Sequence, residues 1–406
     1  MATVNPNKPT ILLKTNGAKN MLERRHQAVS IKVGIIGLGL QGTKYASLIH
    51  DGKVKGMALT AVNSRSEEKR DYVQEHFKEV LFYQDYHDLV KNEAIDAVII
   101  CVPHFQHVAI AMEALAHNKH VLVEKPLSVH TKELEELNRL AEEKPDLRFG
   151  IIFNQRTKPV YQKLKDVLVE RIIGNIRNWQ WTAARTWRPL AYYEQNEWRA
   201  TWNGEGGGVL INQASHHIDL ITWLFGMPEK VFAHLKYGSQ RDITVDDDVT
   251  AVFTYTNGMS GVFTSRTHDF FGTDRLEILG DKGKIMIENG DWMNMKVFDQ
   301  EEQLWSKKLS LAEFKTLEQN PPYYQEKMLD YREVKQNPYV SIMENFMESI
   351  TKNTRLFATK VDGERNVELI NAIYLSDWLQ QEVSIPFDQS LYLEKLHAIM
   401  EKEREG

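Results

Sequence analysis

The chain has 406 residues, more than one hydrophobic core usually serves, so two domains are expected. Its 42% hydrophobic and 26% charged residues are those of an ordinary soluble globular protein, and a net charge of −6 without any sizeable basic patch argues against a nucleic-acid partner. No apolar run approaches the roughly 18 residues of a membrane span, and the single cysteine, Cys101, excludes a disulfide framework and fits a reducing, cytoplasmic compartment.

Residues 1–30 are polar and lack a clear period, and Arg24-Arg25 is followed by no apolar stretch of export-signal length. They are expected to be a disordered extension or an over-extended start, with Met21 as the alternative first residue. From Ile31 strands and helices alternate. Apolar strands are expected at 31–36, 57–63, 80–82, 97–102, 121–123 and 148–153, with helices between them, one capped by Ser66 and another by Thr131. That alternation predicts a doubly wound parallel sheet over 31–153, the dinucleotide-binding Rossmann arrangement.

After residue 154 the rhythm changes. Residues 206–226, GGGVLINQASHHIDLITWLFG, read as a buried helix. Strand-like segments at 230–238, 247–256, 260–268, 275–279 and 284–288 then follow one another with short Gly-containing turns. The second domain, 154–406, is therefore expected to be α+β with a large, mostly antiparallel open sheet. Residues 301–338 have no period and read as a long loop or lid, in which Tyr323 and Tyr324 are candidates to close over a site. A helical region is expected over about 340–382. An open apolar sheet face is a liability in a monomer, so a homodimer or homotetramer is expected.

Gly37-Leu38-Gly39-Leu40-Gln41-Gly42 is a GxGxxG that follows a strand and opens a helix, the context the motif needs. Gly37 suits the tight turn, Gly39 the close approach of a pyrophosphate, and Gly42 the packing of helix on strand, while the helix N-terminus offers free N–H groups to the phosphates. The second strand ends Asn63-Ser64-Arg65-Ser66, with no carboxylate for a ribose 2′-hydroxyl. Ser64 and Arg65 suit a 2′-phosphate, which favours NADP while leaving NAD open. Lys125 follows the fifth strand at the carboxyl edge of the sheet, where doubly wound folds bind ligands; alone, it reads equally as an ion pair with Glu124.

GLGLQG after IKVGIIG, VIICVPHFQH, HNKHVLVEKP, Trp198-Arg199 and GGGVLINQASHHID together resemble the Gfo/Idh/MocA oxidoreductase family, in order and spacing, from Ile31 to about Pro386. The resemblance implies hydride transfer between nicotinamide and a substrate carbinol carbon, with Lys125 and His216 as the catalytic pair. It implies cofactor contacts from Gly37, Leu38, Gly39, Gln41, Gly42, Ser64, Arg65, Val102, Pro103, His104, His107, Glu124 and Lys125. Lys125, Arg156, Trp187, Trp198, Asn212, His216 and His217 are the candidate substrate contacts, although Trp198 reads more readily as core than as a contact. Asn212 stands where many members have Asp, and His104 where they have Asn. In a continuous helix Asn212, His216 and Asp219 would form one polar stripe. His216 and Asp219 are the sole ligand types on one face, so no metal is expected.

The family's substrates are mostly sugars, inositols and their derivatives. Aromatic faces at Trp181, Trp187, Tyr192, Tyr193, Trp198 and Trp202 suit a pyranose, oxidised at a ring hydroxyl such as C3, with an inositol next. No dense Arg/Lys cluster demands a phosphate or nucleotide sugar, although Arg156, Arg185 and Arg188 keep one in play. A redox-neutral NAD-dependent glycosidase and a non-catalytic sugar or dinucleotide sensor are the alternatives; a sensor would be expected to lose the lysine–histidine pair.

Overall fold

The computed structural model describes residues 30–405 apart from 318, 320 and 321, so the expectation for residues 1–29 lies outside the described residues. From Ile31 onward the chain forms one unit built on two sheets. The first contains β1 (Ile31–Ile36), β2 (Met57–Asn63), β3 (Leu81–Tyr83), β4 (Ala97–Ile100), β5 (His120–Val123) and β6 (Phe149–Ile151). All neighbours are parallel, in the order β3-β2-β1-β4-β5-β6. β4 is buried along its whole length because helices cover both faces, which is why it reads as an unbroken apolar run. The strand order reverses between β1 and β4, and the crevice outside their carboxyl ends is where this topology binds ligands.

The second sheet has nine strands: β7 (Ile176–Ala183), β8 (Lys230–Tyr237), β9 (Asp246–Thr254), β10 (Ser260–Arg266), β11 (Asp274–Gly280), β12 (Gly283–Glu288), β13 (Trp292–Phe298), β14 (Tyr324–Asp330) and β15 (Val383–Ser384). Their order is β14-β13-β12-β11-β7-β10-β9-β8-β15. β7 inserts between β11 and β10 and runs parallel to β10, whereas a simple meander would have paired β10 directly with β11. Burial alternates along β9, with Val249, Ala251 and Phe253 inward and Thr250, Val252 and Thr254 outward. The inner face packs on helices Ser215–Phe225 and Lys360–Leu379; the outer face exposes Phe232, Val252 and Leu279.

Three expectations need correction. The stretch 206–226 is not one helix: the helix begins at Ser215, because Gly206 and Gly207 adopt φ of +80° and +143°, conformations that suit glycine and interrupt a right-handed helix. Residues 301–338 are not a loop: helices Glu302–Ser306 and Leu311–Phe314 precede β14, whose Tyr324 lies at the outer edge of the large sheet, paired with Phe298 of β13 and not over a site. Thr131 opens a short 3-10 turn preceding helix Leu134–Glu142 and caps no α-helix, whereas Ser66 caps its helix as expected, accepting from Lys69 N at 3.4 Å. Among the described residues no helix is long and apolar enough to cross a membrane.

Arg156 is the clearest departure. It was a candidate substrate contact, but its side chain is 2% exposed and grips Asp219 in a two-toothed contact, Nε to Oδ2 at 2.9 Å and Nη2 to Oδ1 at 2.6 Å. Two further donors go to Asp362 Oδ1 at 3.1 Å and the Phe357 carbonyl at 2.9 Å. Four of the five N–H donors of the guanidinium are thus used inside the protein, tying the turn after β6 to helices Ser215–Phe225 and Lys360–Leu379. Removing one partner of a buried pair strands the other charge. Arg156→Met is therefore expected to lower unfolding stability by about 3–5 kcal/mol in chemical denaturation, with most of the loss recovered when Asp219→Leu is added; a loss under about 1 kcal/mol would contradict this role.

Candidate active site

A cleft of about 1620 Å³ runs from the Gly37–Gly42 turn, past the ends of β4 and β5, to the segment that follows β7 and the start of helix Ser215–Phe225. This exceeds an ordinary small-ligand pocket and suits a dinucleotide together with a second molecule. At one end Gly37 has φ +93°, and a Cβ there would lie 2.5 Å from the Cys101 carbonyl. A Cβ on Gly42 would lie 1.9 Å from the Gly37 carbonyl, so this glycine closes helix onto turn and does not line the cleft. A Cβ on Gly39 would meet nothing within 4 Å, leaving the space a pyrophosphate requires. Helix Leu40–His50 starts there with no side-chain cap and no acidic residue in its first turn, so its free N–H groups face the cleft. These features fit a dinucleotide.

Leu38, Gln41, Ser64, Arg65, Val102, Pro103, His104, His107, Glu124 and Lys125 all line the cleft. Ser66 and Lys69 join Ser64 and Arg65 at the end of β2. His107 acts as a strut, its ring nitrogens 2.7 Å from the Pro126 carbonyl and 2.8 Å from that of Val102. Burial lowers its pKa, while the two acceptors favour the doubly protonated ring. His104 donates from Nδ1 to the Glu205 carbonyl at 2.8 Å and stands edge-on to Trp198. The Lys125–Pro126 bond is cis.

Lys125 Nζ donates to the Asn212 backbone carbonyl at 2.6 Å and to Asn212 Oδ1 at 3.2 Å. Asn212 in turn donates from Nδ2 to Glu205, which also accepts from Ala200 N at 2.8 Å and lies 3.8 Å from Arg199. Glu124 accepts from the Tyr45 hydroxyl and the Lys125 backbone N–H. Burial lowers the Lys125 pKa, opposed by Glu124 and Glu205 and assisted by Arg199 and Arg188. Burial, then the charge on Lys125, holds His216 well below its ordinary value, so its ring is neutral near pH 7.

His216 lines the cleft with an unpartnered buried Nδ1, and so does His217, which lies edge-on to Trp181. Asn212 precedes the helix and Asp219 turns to Arg156, so the expected three-residue stripe does not form. Trp198 lines the cleft; Trp187 lies outside it, edge-on to the exposed Phe270. Trp181 and Trp202 are core. Sequence reading did not single out Gln155, Lys158, Gln213 or Asp274, which line the cleft, or Glu205 behind Asn212. Only the Gly-Glu-Gly-Gly-Gly run hinted at Glu205. Among the described residues no three His, Cys, Asp or Glu side chains gather as a metal would require.

The NAD-binding Rossmann-fold domain of the GFO/IDH/MocA oxidoreductase family matches residues 31–151, and a GFO/IDH/MocA C-terminal domain matches 161–286. The chain belongs to the GFO/IDH/MocA family. It is an NAD-binding oxidoreductase of that family. It is 27% identical to a myo-inositol 2-dehydrogenase of Thermotoga maritima over 64% of this chain and 75% of that one. It is 31% identical to the scyllo-inositol 2-dehydrogenase (NADP(+)) IolW of Bacillus subtilis, over 56% of this chain and 60% of that one. Among solved structures, a levoglucosan dehydrogenase in complex with NADH and levoglucosan superposes with a TM-score of 0.73 at 19% identity, covering 88% of this chain and all of the other, which shows a shared fold.

Proposed function

We propose that this GFO/IDH/MocA member moves a hydride between nicotinamide C4 and a ring-hydroxyl carbon of a sugar, a glycoside or an inositol. The observation that carries this reading is the state of Lys125. Its amine spends two N–H bonds on Asn212, leaving one tetrahedral position toward the cleft beside the unpartnered His216. As an ammonium that position is a donor for a substrate oxygen; as a neutral amine it is a lone pair that takes a hydroxyl proton. Bound nicotinamide would supply the hydride acceptor or donor, and the chain's own groups handle the proton. Neutral His216 can receive that proton at a ring nitrogen, while Asn212 and Glu205 keep Lys125 in position. The negative charge that an Asp at 212 would supply comes instead from Glu205, one hydrogen bond further back.

Ring hydroxyls call for convergent polar groups beside aromatic surface, and the far end of the cleft offers Gln155, Gln213, His217 and Asp274 beside Tyr192 and Trp198. The names of the inositol and levoglucosan dehydrogenases support a polyol substrate. Exposed Arg65, with Ser64, Ser66 and Lys69 around it, supports NADP over NAD, as does the NADP-dependent B. subtilis relative. The outward-facing Phe232, Val252 and Leu279 support self-association through the large sheet.

Lys125→Ala is expected to lower turnover at least about 100-fold while the dissociation constant for dinucleotide, read by tryptophan fluorescence, changes little; near-normal turnover would overturn the role of Lys125. In the same binding assay Arg65→Ala should weaken NADP roughly tenfold and NAD far less. Equal losses for both would remove the 2′-phosphate contact.

A further inference from the structure

The cleft around Lys125 carries more positive charge than a neutral sugar requires. Lys158, Arg185, Arg188 and Arg199 line it, with Asp274 as the carboxylate among them. That carboxylate accepts from Trp181 Nε1 at 3.0 Å. Among the described residues, Lys158, Arg185 and Arg188 have no carboxylate within 4 Å. Arg188 and Arg199 pack on the same ring, 4.7 and 4.8 Å from the centroid of Tyr192, and Arg199 also lies 4.7 Å from the Trp198 ring. Each of these two guanidiniums has a buried Nε without a hydrogen-bond partner. One other donor of Arg199 goes to the Tyr192 hydroxyl at 2.9 Å, and one of Arg188 to the Trp187 carbonyl at 3.0 Å; Arg199 also lies 3.8 Å from Glu205, which offsets its charge in part, whereas Arg188 has no such partner among the described residues.

Two like charges gathered on one aromatic ring, with a single carboxylate beside one of them and a buried donor unspent on each, are costly unless a further anion completes them. Arg199 lies 3.8 Å from Glu205, which accepts from Asn212, the residue that holds Lys125, so the anion would lie close to the reacting centre. Arg156, by contrast, is paired with Asp219 and plays no part in this wall.

We infer that the substrate is an oxyanion-bearing polyol, whose carboxylate or phosphate is held by Arg188 and Arg199 beside Tyr192, with Lys158 and Arg185 supplying further positive charge. This rests on the dehydrogenase reading of the same cleft and narrows its substrate class. Of these four cations the sequence already marks Arg185 and Arg188 as candidates for an anionic substrate, but not Lys158, which comes from the turn after β6 while the other three come from the segment after β7.

The test is equilibrium binding to the full chain saturated with reduced dinucleotide, so that no turnover is needed. D-glucuronate, D-galacturonate and glucose 6-phosphate are compared by calorimetry with glucose, galactose and myo-inositol. At least one acidic probe should bind about tenfold or more tightly than its neutral counterpart, a charge-assisted contact being worth that much. The hexuronates and the hexose phosphate distinguish carboxylate from phosphate. Arg188→Gln, with its dinucleotide affinity checked as evidence of folding, should abolish the preference. No preference for any acidic probe, or a preference that survives both Arg188→Gln and Arg199→Gln, would overturn the inference. Failure of the dehydrogenase reading would appear separately, in a parallel assay with oxidised dinucleotide, as the absence of nicotinamide reduction with every probe.

Discussion

The bidentate contact between Arg156 and Asp219 sets the rotation of helix Ser215–Phe225, and the far end of the cleft depends on that rotation. The helix is apolar over most of its surface, and hydrophobic packing is non-directional, so burial alone would tolerate several rotations. An ion pair with fixed fork geometry tolerates one. Asp219 lies three residues after His216, so holding the carboxylate on Arg156 delivers His216 to the cleft, edge-on to Phe153. Asp362 and the Phe357 carbonyl take two more donors of the same guanidinium, so the C-terminal helices brace the site from behind.

A second chain of contacts joins the two sheets at the reacting centre. Lys125 comes from the end of β5, and Asn212 and Glu205 from the glycine-rich turns before the helix. His104 reaches across from the end of β4 to the Glu205 carbonyl. The parallel sheet therefore contributes the lysine and the dinucleotide turn, while the segment leading into the helix fixes where the amine points. Gly206 and Gly207 are part of this arrangement: a Cβ on Gly206 would lie 2.4 Å from Val129 Cγ1, and one on Gly207 2.2 Å from the Tyr374 hydroxyl.

What sequence reading reaches here is what short-range patterns encode. β1 and β2, the glycine turn between β1 and its helix, and Lys125 at the end of β5 follow from apolar runs and neighbouring glycines. The insertion of β7 between β10 and β11 is set by a crossover of more than seventy residues, and no local pattern announces it. Arg156 reads as a free cation in sequence because its partners are 63 and 206 residues away. Lys158 is likewise 30 and 41 residues from Arg188 and Arg199, and Glu205, although only seven residues before Asn212, is joined to it across glycine-rich turns that follow no helical or strand period. Charges at a fold's interior junctions are assigned by tertiary contact, and spacing along the chain carries little information about them.

The measurement that tests the account most directly is absorbance at the reduced-nicotinamide band, with purified full-length chain, NAD or NADP, and a panel of hexoses, glycosides, hexuronates and inositols. The account predicts that at least one polyol drives stoichiometric growth of the band. A flat trace across the panel, from protein shown to bind dinucleotide, together with cleaved glycoside among the products, would contradict net hydride transfer as its activity.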